Sequence, residues 1–336
     1  MNHKAEFYKK LPSGYIKCLL CPHYCVIPEG GKGICSVRKN EKGTLIAGSY
    51  GVVSAMHTDP IEKKPLYHYK PGSKIFSIGS VSCNMKCIFC QNYEISQEFD
   101  KYSVLPRYSP GEVVKKALNH KENIGIAFTY NEPTIFFEFM RDISVLAHKE
   151  GLKTVMVTNG FINQEPLYEL MKFIDAFSVD LKAYTGKFYK EISEAGLEPV
   201  KETLKTLKQH NKFFEITYLV VTDLNDDPDD FTKMIDWIYK ELGDDIPLHI
   251  SRYFPYYKLD NDATPLETLS NLFRIAKSRL KYVYLGNVLY GFEGINTNCY
   301  KCNYEVITRN GYDVTINGLD KAGNCKKCGT FLSFEM

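Results

Sequence analysis

Cys83-Asn84-Met85-Lys86-Cys87-Ile88-Phe89-Cys90 sets three thiols in a CxxxCxxC spacing on one short stretch of chain. Three closely spaced thiolates can bind three irons of a 4Fe–4S cubane and leave the fourth iron without a protein ligand. An open coordination position is what catalysis needs, whereas a closed four-cysteine site is structural or transfers electrons. A zinc ion that borrows a distant ligand is the plainer alternative for the same residues.

The rest of the eleven cysteines form two groups of four. Cys18, Cys21, Cys25 and Cys35 can close a tetrahedral zinc site or bind an auxiliary iron–sulfur cluster. Gly30-Gly31-Lys32-Gly33, just ahead of Cys35, permits the tight backbone turn such a site needs. Cys299, Cys302, Cys325 and Cys328 have a zinc-ribbon spacing, with zinc the first choice and a rubredoxin-like iron the second. A tail that small needs a metal clip to hold a core. Grouping of this kind marks metal sites of a reducing compartment, not a disulfide framework.

The central cysteines follow a short apolar strand, Lys74–Gly79, and strand and helix patterns alternate from there to about residue 290. Further strands are expected at Ile124–Phe128, Lys153–Thr158, Ala176–Leu181, Phe213–Val221 and Leu248–Phe254, with a seventh at Tyr282–Leu285. Helices are expected from Ser109, from Pro133 to Gly151, around Glu165–Ile174, and at Pro199–His210 and Pro228–Leu242. Ser109-x-x-Glu112 and Thr264-x-x-Glu267 both have the pattern in which a hydroxyl and a carboxylate cap a helix start reciprocally. The acidic run Asp226–Asp230 reads as another helix start, where the macrodipole favours negative charge.

Such alternation implies an α/β fold built of βαβ units around a parallel sheet. About six such units suit a partial or near-complete parallel (β/α) barrel with its active-site loops at the strand C-termini. A doubly wound open sheet is the alternative. The expected division is a Cys-rich N-terminal segment over 1–73, the barrel over 74–290, and a four-cysteine tail over 291–336 with β-like stretches at Tyr304–Thr308 and Tyr312–Ile316.

The 336 residues are 44% hydrophobic and 24% charged, an ordinary globular composition. A net charge of +2 gives no reason to expect nucleic acid or an anionic membrane as partner. The polar opening Met1-Asn2-His3-Lys4 and the lack of any long apolar run point to a cytoplasmic protein without a membrane span.

CxxxCxxC after the first strand of a βα-rich domain resembles the radical S-adenosylmethionine (SAM) superfamily. That resemblance implies a 4Fe–4S cluster and SAM as cofactors. It also implies reductive cleavage to methionine and a 5′-deoxyadenosyl radical, and hydrogen abstraction from an unactivated C–H bond. Further stretches look like pyruvate formate-lyase activating enzymes and their relatives. Thr129-Tyr130-Asn131-Glu132-Pro133 lies where that family has a Gly-Gly-Glu-Pro-like turn against the SAM amino group, with Tyr130 and Asn131 in place of glycines. Thr158-Asn159-Gly160 and Asp180-Leu181-Lys182 match its Thr-Asn-Gly and Asp-Leu-Lys. Thr217 stands where the family has an arginine, and Arg252 either substitutes for it or is a barrel-end arginine that satisfies a helix end. Phe254-Pro255-Tyr256-Tyr257 matches a Pro-Tyr-His stretch near adenine, with Tyr257 for histidine. The resemblance thus makes Glu132, Asn131, Thr158, Asn159, Asp180, Lys182 and Tyr257 the expected cofactor contacts.

The whole chain resembles the AmmeMemoRadiSam family more closely, on Cys18–Cys25, Asp59–His68, Gln91-Asn92-Tyr93 and Gly286-Asn287-Val288. This implies an association with AMMECR-type and Memo-type proteins. The activity expected is hydrogen abstraction from a protein or peptide, either glycyl-radical activation or peptide modification, with a ferredoxin or flavodoxin as electron donor. A zinc-ribbon nucleic-acid-binding protein on an inactive barrel is the rival. His68, Lys63 and Lys64 sit where they either reach the active-site mouth or serve the surface. His249, alternating with apolar residues, reads as packed, and Phe136, Phe137 and Phe139 read as core.

Overall fold

The computed structural model describes residues 3–97 and 105–336, so Met1 and Asn2 of the polar N-terminus lie outside it. Two small antiparallel sheets come first: β1 (Tyr8–Lys10), β2 (Ile16–Cys18) and β3 (Val26–Ile27), then β4 (Arg38–Glu41) with β5 (Thr44–Ala47). The main sheet follows with β6 (Ala55–Pro60), β7 (Lys74–Gly79), β8 (Asn123–Phe128) and β9 (Lys153–Thr158). It continues through β10 (Ala176–Asp180), β11 (Phe213–Val220), β12 (Leu248–Arg252) and β13 (Val283–Gly286). The tail adds β14 (Thr297–Asn298), β15 (Glu305–Asn310) and β16 (Asp313–Ile316) as a third antiparallel sheet.

Helices α1 (Tyr93–Gln97) and α2 (Pro110–Leu118) lie between β7 and β8, and α3 (Phe137–Lys149) and α4 (Gln164–Leu170) follow β8 and β9. After β10 come α5 (Gly186–Ile192) and α6 (Leu197–Gln209), then α7 (Pro228–Glu241) and α8 (Leu266–Lys277), one after each of the next two strands.

The eight strands of the main sheet are ordered as they occur in the chain, from β6 at one edge to β13 at the other. A doubly wound sheet reverses its strand order at a switch point, and this one never does. Right-handed crossovers that always step the same way put every helix on one face. The other face is then covered by the sheet curling on itself, a partial parallel (β/α) barrel. β7 to β13 pair in parallel, and only β6 runs antiparallel, from Ala55 opposite Gly79 to Pro60 opposite Lys74.

β6 is the main departure from the expected boundaries, because the barrel sheet begins at Ala55 and not at Lys74. Ala55-Met56-His57-Thr58-Asp59-Pro60 carries too little apolar alternation to announce a strand, as edge strands commonly do. α6 starts at Leu197 behind Gly196, two residues earlier than expected, and α5 is a separate short helix. The Ser109 capping box forms, with Ser109 N donating to Glu112 at 2.7 Å. Asp227 caps α7 by accepting from the N–H groups of Asp229 and Asp230. The second expected box does not form. Thr264 instead donates to Val220 O at 2.6 Å and accepts from Tyr253 N at 2.9 Å, which ties the β12–α8 loop to β11 and leaves α8 to begin after Pro265.

Ile61, Leu66, Tyr69, Ile75, Ala127, Val155 and Ala176 form a small core of their own, and since β6 ends opposite Lys74 the 61–69 segment enters from the N-terminal end of the parallel strands and plugs the barrel floor. Phe136, Phe137 and Phe139 are buried in the main core. No helix among the described residues is long and apolar enough to cross a membrane.

The tail is fastened to the barrel by Arg309 of β15, which is fully buried. Its guanidinium lies 4.0 Å from the Tyr67 ring centroid and donates to Thr297 Oγ1 at 2.8 Å and to the carbonyls of Ile295 and Tyr67 at 3.2 Å. His68, stacked on Phe334, bonds to Tyr284 Oη at 2.6 Å in the same seam. Arg309→Ala is expected to cost about 2–4 kcal/mol, since it strands buried acceptors and empties a packed volume. Thermal unfolding, with limited proteolysis reporting release of the tail, measures this.

Candidate functional site

The three central thiols sit on the loop that β7 delivers at its C-terminal end. Asn131 pins the entry to this loop: its side-chain oxygen accepts from Ser80 N and its amide donates to Ser82 O, both at 2.9 Å. Lys86 N and Ile88 N donate to the carbonyls of Ser193 and Ile192 at 2.9 and 3.1 Å, which anchors the middle of the loop to the end of α5. Cys83 receives Met85 N at 3.3 Å and the Asn159 amide at 3.7 Å. Burial pushes all three thiols up, Cys83 most strongly, while Lys182 pulls Cys87 and Cys90 down. Thiols so placed ionise when a cation binds them.

The loop opens into a cavity of about 600 Å³ at the C-terminal ends of the parallel strands. Cys83, Cys87 and Cys90 line it, as do Asn131, Glu132, Thr158, Asn159, Asp180 and Lys182. Distant stretches of sequence therefore converge as a parallel barrel demands. The donor set fits an open cluster: three free thiols, N–H groups directed at sulfur, and room beside them for a ligand.

Glu132 is buried and held on three sides. Its carboxylate accepts from Thr158 Oγ1 at 2.7 Å, Asn159 N at 2.8 Å and Thr134 N at 2.9 Å. Burial raises this carboxyl even though those bonds pull it the other way. Asn159 in turn donates to Asn84 Oδ1 at 2.9 Å, so the β9 loop joins Glu132 to the cysteine loop. Gly160 completes the Thr-Asn-Gly turn at φ 68°, where a Cβ would stand 3.0 Å from Val179. Tyr130 holds the left-handed conformation, φ 71°, at a position where the resembling family has glycine. Its hydroxyl donates to Asp59 Oδ2 at 2.6 Å, and this anchor offsets the backbone cost.

Lys182 lies 2.7 Å from Asp180. Burial works against its charge, but Asp180 and Cys87 hold the ammonium above its ordinary value. Across the cavity stand Thr217, Ser251, Asn287 and His249. His249 bonds at 2.7 Å to Glu215, whose carboxyl burial raises but whose partners His249, His68 and Tyr67 bring below its ordinary value.

Three expected positions fall elsewhere. Tyr257 stacks on Tyr93 with centroids 4.5 Å apart and does not line the cavity. Arg252 donates to Thr264 O at 2.8 Å and packs on Phe254, so it does not stand in for an arginine at Thr217. His68 is buried in the tail seam, whereas Lys63 and Lys64 do line the cavity and pair with Asp59. Sequence reasoning missed Glu62, Tyr67 and Tyr312. Tyr312 comes from the turn between β15 and β16, and nothing in a ribbon spacing places that turn against the barrel cavity from its floor side.

The tail sulfurs form a different kind of site. All four lie within 4.8 Å of one another, with Cys299 and Cys328 3.6 Å apart and Cys302 and Cys325 3.7 Å apart, the cage of a single ion.

Comparison with known proteins adds four findings. The family model described as the radical SAM superfamily matches residues 77–238. An uncharacterized protein of Methanocaldococcus jannaschii is 42% identical over 97% of this chain and 97% of its own length. The pyruvate formate-lyase 1-activating enzyme of Escherichia coli is 26% identical over 53% of this chain and 72% of its own length. Among solved structures, Streptococcus suis SuiB bound to its precursor peptide SuiA aligns with a TM-score of 0.51 at 14% identity. That alignment covers 68% of this chain and 52% of SuiB, a likeness of fold.

Proposed function

We propose that this chain, which belongs to the radical SAM superfamily, is an enzyme that abstracts hydrogen from a protein or peptide substrate held in the barrel mouth. Cys83, Cys87 and Cys90 are the residues that would hold the 4Fe–4S cluster. When bound, that cluster supplies the electron that cleaves SAM to methionine and a 5′-deoxyadenosyl radical. The observation that carries the reading is that three free thiols open into the same cavity as Glu132, Thr158, Asn159, Asp180 and Lys182.

In this reading the rigidly held Glu132 carboxylate takes the SAM amino group, and the Asp180–Lys182 pair borders the rest of the cofactor. Lys182 also balances thiolate charge at Cys87 and Cys90. The side lined by Thr217, Ser251, Gly286 and Asn287, at the C-terminal ends of β11 to β13, is left for the substrate. Hydroxyls and an amide suit a peptide backbone, to which they can both donate and accept. The named activity of the Escherichia coli relative supports a protein substrate of the glycyl-radical type, and peptide modification is the close variant. A ferredoxin or flavodoxin serves as reductant, and the Asp59–His68 and Cys18–Cys25 stretches extend the reading to association with AMMECR-type and Memo-type proteins. A nucleic-acid-binding ribbon on an inactive barrel leaves the Glu132–Asn159–Cys83 arrangement without a use.

Anaerobic reconstitution with iron and sulfide, reduction by dithionite and addition of SAM are expected to yield 5′-deoxyadenosine. A loaded, reducible cluster that gives none with SAM, alone or with a glycyl-radical enzyme as acceptor, contradicts the proposal.

A further inference from the structure

We propose that Cys18, Cys21, Cys25 and Cys35 hold a second iron–sulfur cluster, and that the electron for SAM cleavage enters through it. The relay rests on the reading of Cys83, Cys87 and Cys90 as an open 4Fe–4S site.

The four thiols are free, and backbone bonds draw their segments together: Cys18 N donates to Cys25 O at 2.9 Å and Tyr24 N to Cys21 O at 3.2 Å. Backbone N–H groups point at the sulfurs: Ile34 N reaches Cys25 Sγ at 3.5 Å, His23 serves Cys21, and Val37 and Arg38 serve Cys35. Such bonds stabilise anionic metal–sulfur centres. The spacing then separates the two candidate metals. A single zinc with bonds of about 2.3 Å draws its four sulfurs to about 3.8 Å from one another. The tail cysteines have that contraction. Among the described residues the N-terminal four do not gather within 4.8 Å as a set, and neither do Cys83, Cys87 and Cys90. The N-terminal four thus lack the contraction of the tail cage, as do the three central thiols.

Arg38 gives an independent indication of an anion there. It is 1% exposed, and its terminal nitrogens donate to Glu138 Oε1 at 2.6 Å and Glu6 O at 2.8 Å. Its Nε is buried with no acceptor among the described residues, and its charge acts on Cys18 and Cys35. An orphaned guanidinium N–H beside Cys18 and Cys35 is satisfied by an anionic cluster held there.

The two cysteine groups are joined directly. Ser82, the neighbour of Cys83, donates its hydroxyl to Cys35 O at 2.5 Å, and His23 Nε2 donates to Asn84 O at 2.6 Å. With both groups loaded, one electron from a low-potential donor such as reduced flavodoxin would pass through the N-terminal cluster to the one held by Cys83, Cys87 and Cys90, which would gain that electron with no atom transferred. The solvent side of the N-terminal group carries exposed Tyr24, Val26 and Ile34. In the β1–β2–β3 sheet, Lys9, Lys17 and Val26 stand in one register row, a basic and apolar face suited to an acidic electron carrier.

The test is iron, sulfide and zinc content of the reconstituted full chain, with EPR of the reduced protein and deoxyadenosine assays driven by reduced flavodoxin or by dithionite. Wild type is expected to hold about eight irons and eight sulfides, two cubanes, and one zinc. Cys21→Ala/Cys25→Ala is expected to keep half of that iron and its dithionite-driven turnover, and to lose at least tenfold of the flavodoxin-driven rate. Cys83→Ala/Cys87→Ala leaves the N-terminal loops untouched, and is expected to keep the other half with an EPR signal indifferent to SAM. A wild type with half the expected iron and two zincs overturns the proposal, as does a Cys83→Ala/Cys87→Ala protein without iron. Full iron with no response to SAM overturns the open-site reading and the relay, and leaves the second cluster standing.

Discussion

Cys87→Ala is expected to lower deoxyadenosine formation more than about 100-fold, beyond the usual loss from disturbing an outer partner of a metal site. Cys87 is 7% exposed on a loop whose neighbours, Lys86 and Ile88, are bonded through their backbones to Ser193 and Ile192. Those bonds do not involve the sulfur, so the loop keeps its course and the variant is expected to stay folded. What disappears is one of three anionic ligands, and with no fourth cysteine on the loop to move in, the irons are left under-ligated. Liquid chromatography of the product, alongside iron content, checks the result. A variant that retains iron and turns over at the wild-type rate would mean that the cluster is held elsewhere.

The barrel and its cluster loop were legible in the sequence because their signals are local. Six strands of apolar runs, each followed by a helical pattern, had only to be counted, and CxxxCxxC announces its chemistry through spacing alone. Asp227 capped its helix as read. Thr264 did not, because its hydroxyl found Val220 O, a partner in another strand that no local pattern reveals. The same holds for β6, which is a strand only because β7 leaves it an edge to pair with. Arg309 and Tyr312 were illegible for a related reason: each reads as an ordinary residue of a ribbon hairpin, and only the docking of that hairpin on Tyr67 and Tyr284 makes one buried and sets the other at the cavity. Asn131 shows the converse. The family resemblance marked it as a cofactor contact, and it lines the cavity, but nothing in the resemblance told that its side chain bonds to Ser80 and Ser82 and shapes the cysteine loop.

Glu132→Ala is expected to raise the KM for SAM about 10–100-fold, the range for removing a fixed, buried charge partner. It is also expected to lower stability by about 2–4 kcal/mol, because the N–H groups of Asn159 and Thr134 and the Thr158 hydroxyl lose their acceptor. The two effects separate in a pair of milder variants. Thr158→Val removes one bond to the carboxylate but leaves its charge and its other bonds in place. It is expected to cost about 1–3 kcal/mol of stability, because Gly160 N loses its acceptor as well, with SAM affinity nearly unchanged. Glu132→Gln keeps the size and one acceptor oxygen, but turns an NH₂ group toward the donating N–H of Asn159, so both fold and binding are expected to suffer, binding more. Thermal unfolding reports the first quantity. Equilibrium binding of SAM to the oxidised, cluster-loaded protein reports the second without requiring turnover. A folded Glu132→Gln protein that binds SAM as tightly as wild type would make the carboxylate a structural cap for the β8 and β9 loops alone. The amino group of SAM would then have to find its partner among Asp180 and the far wall.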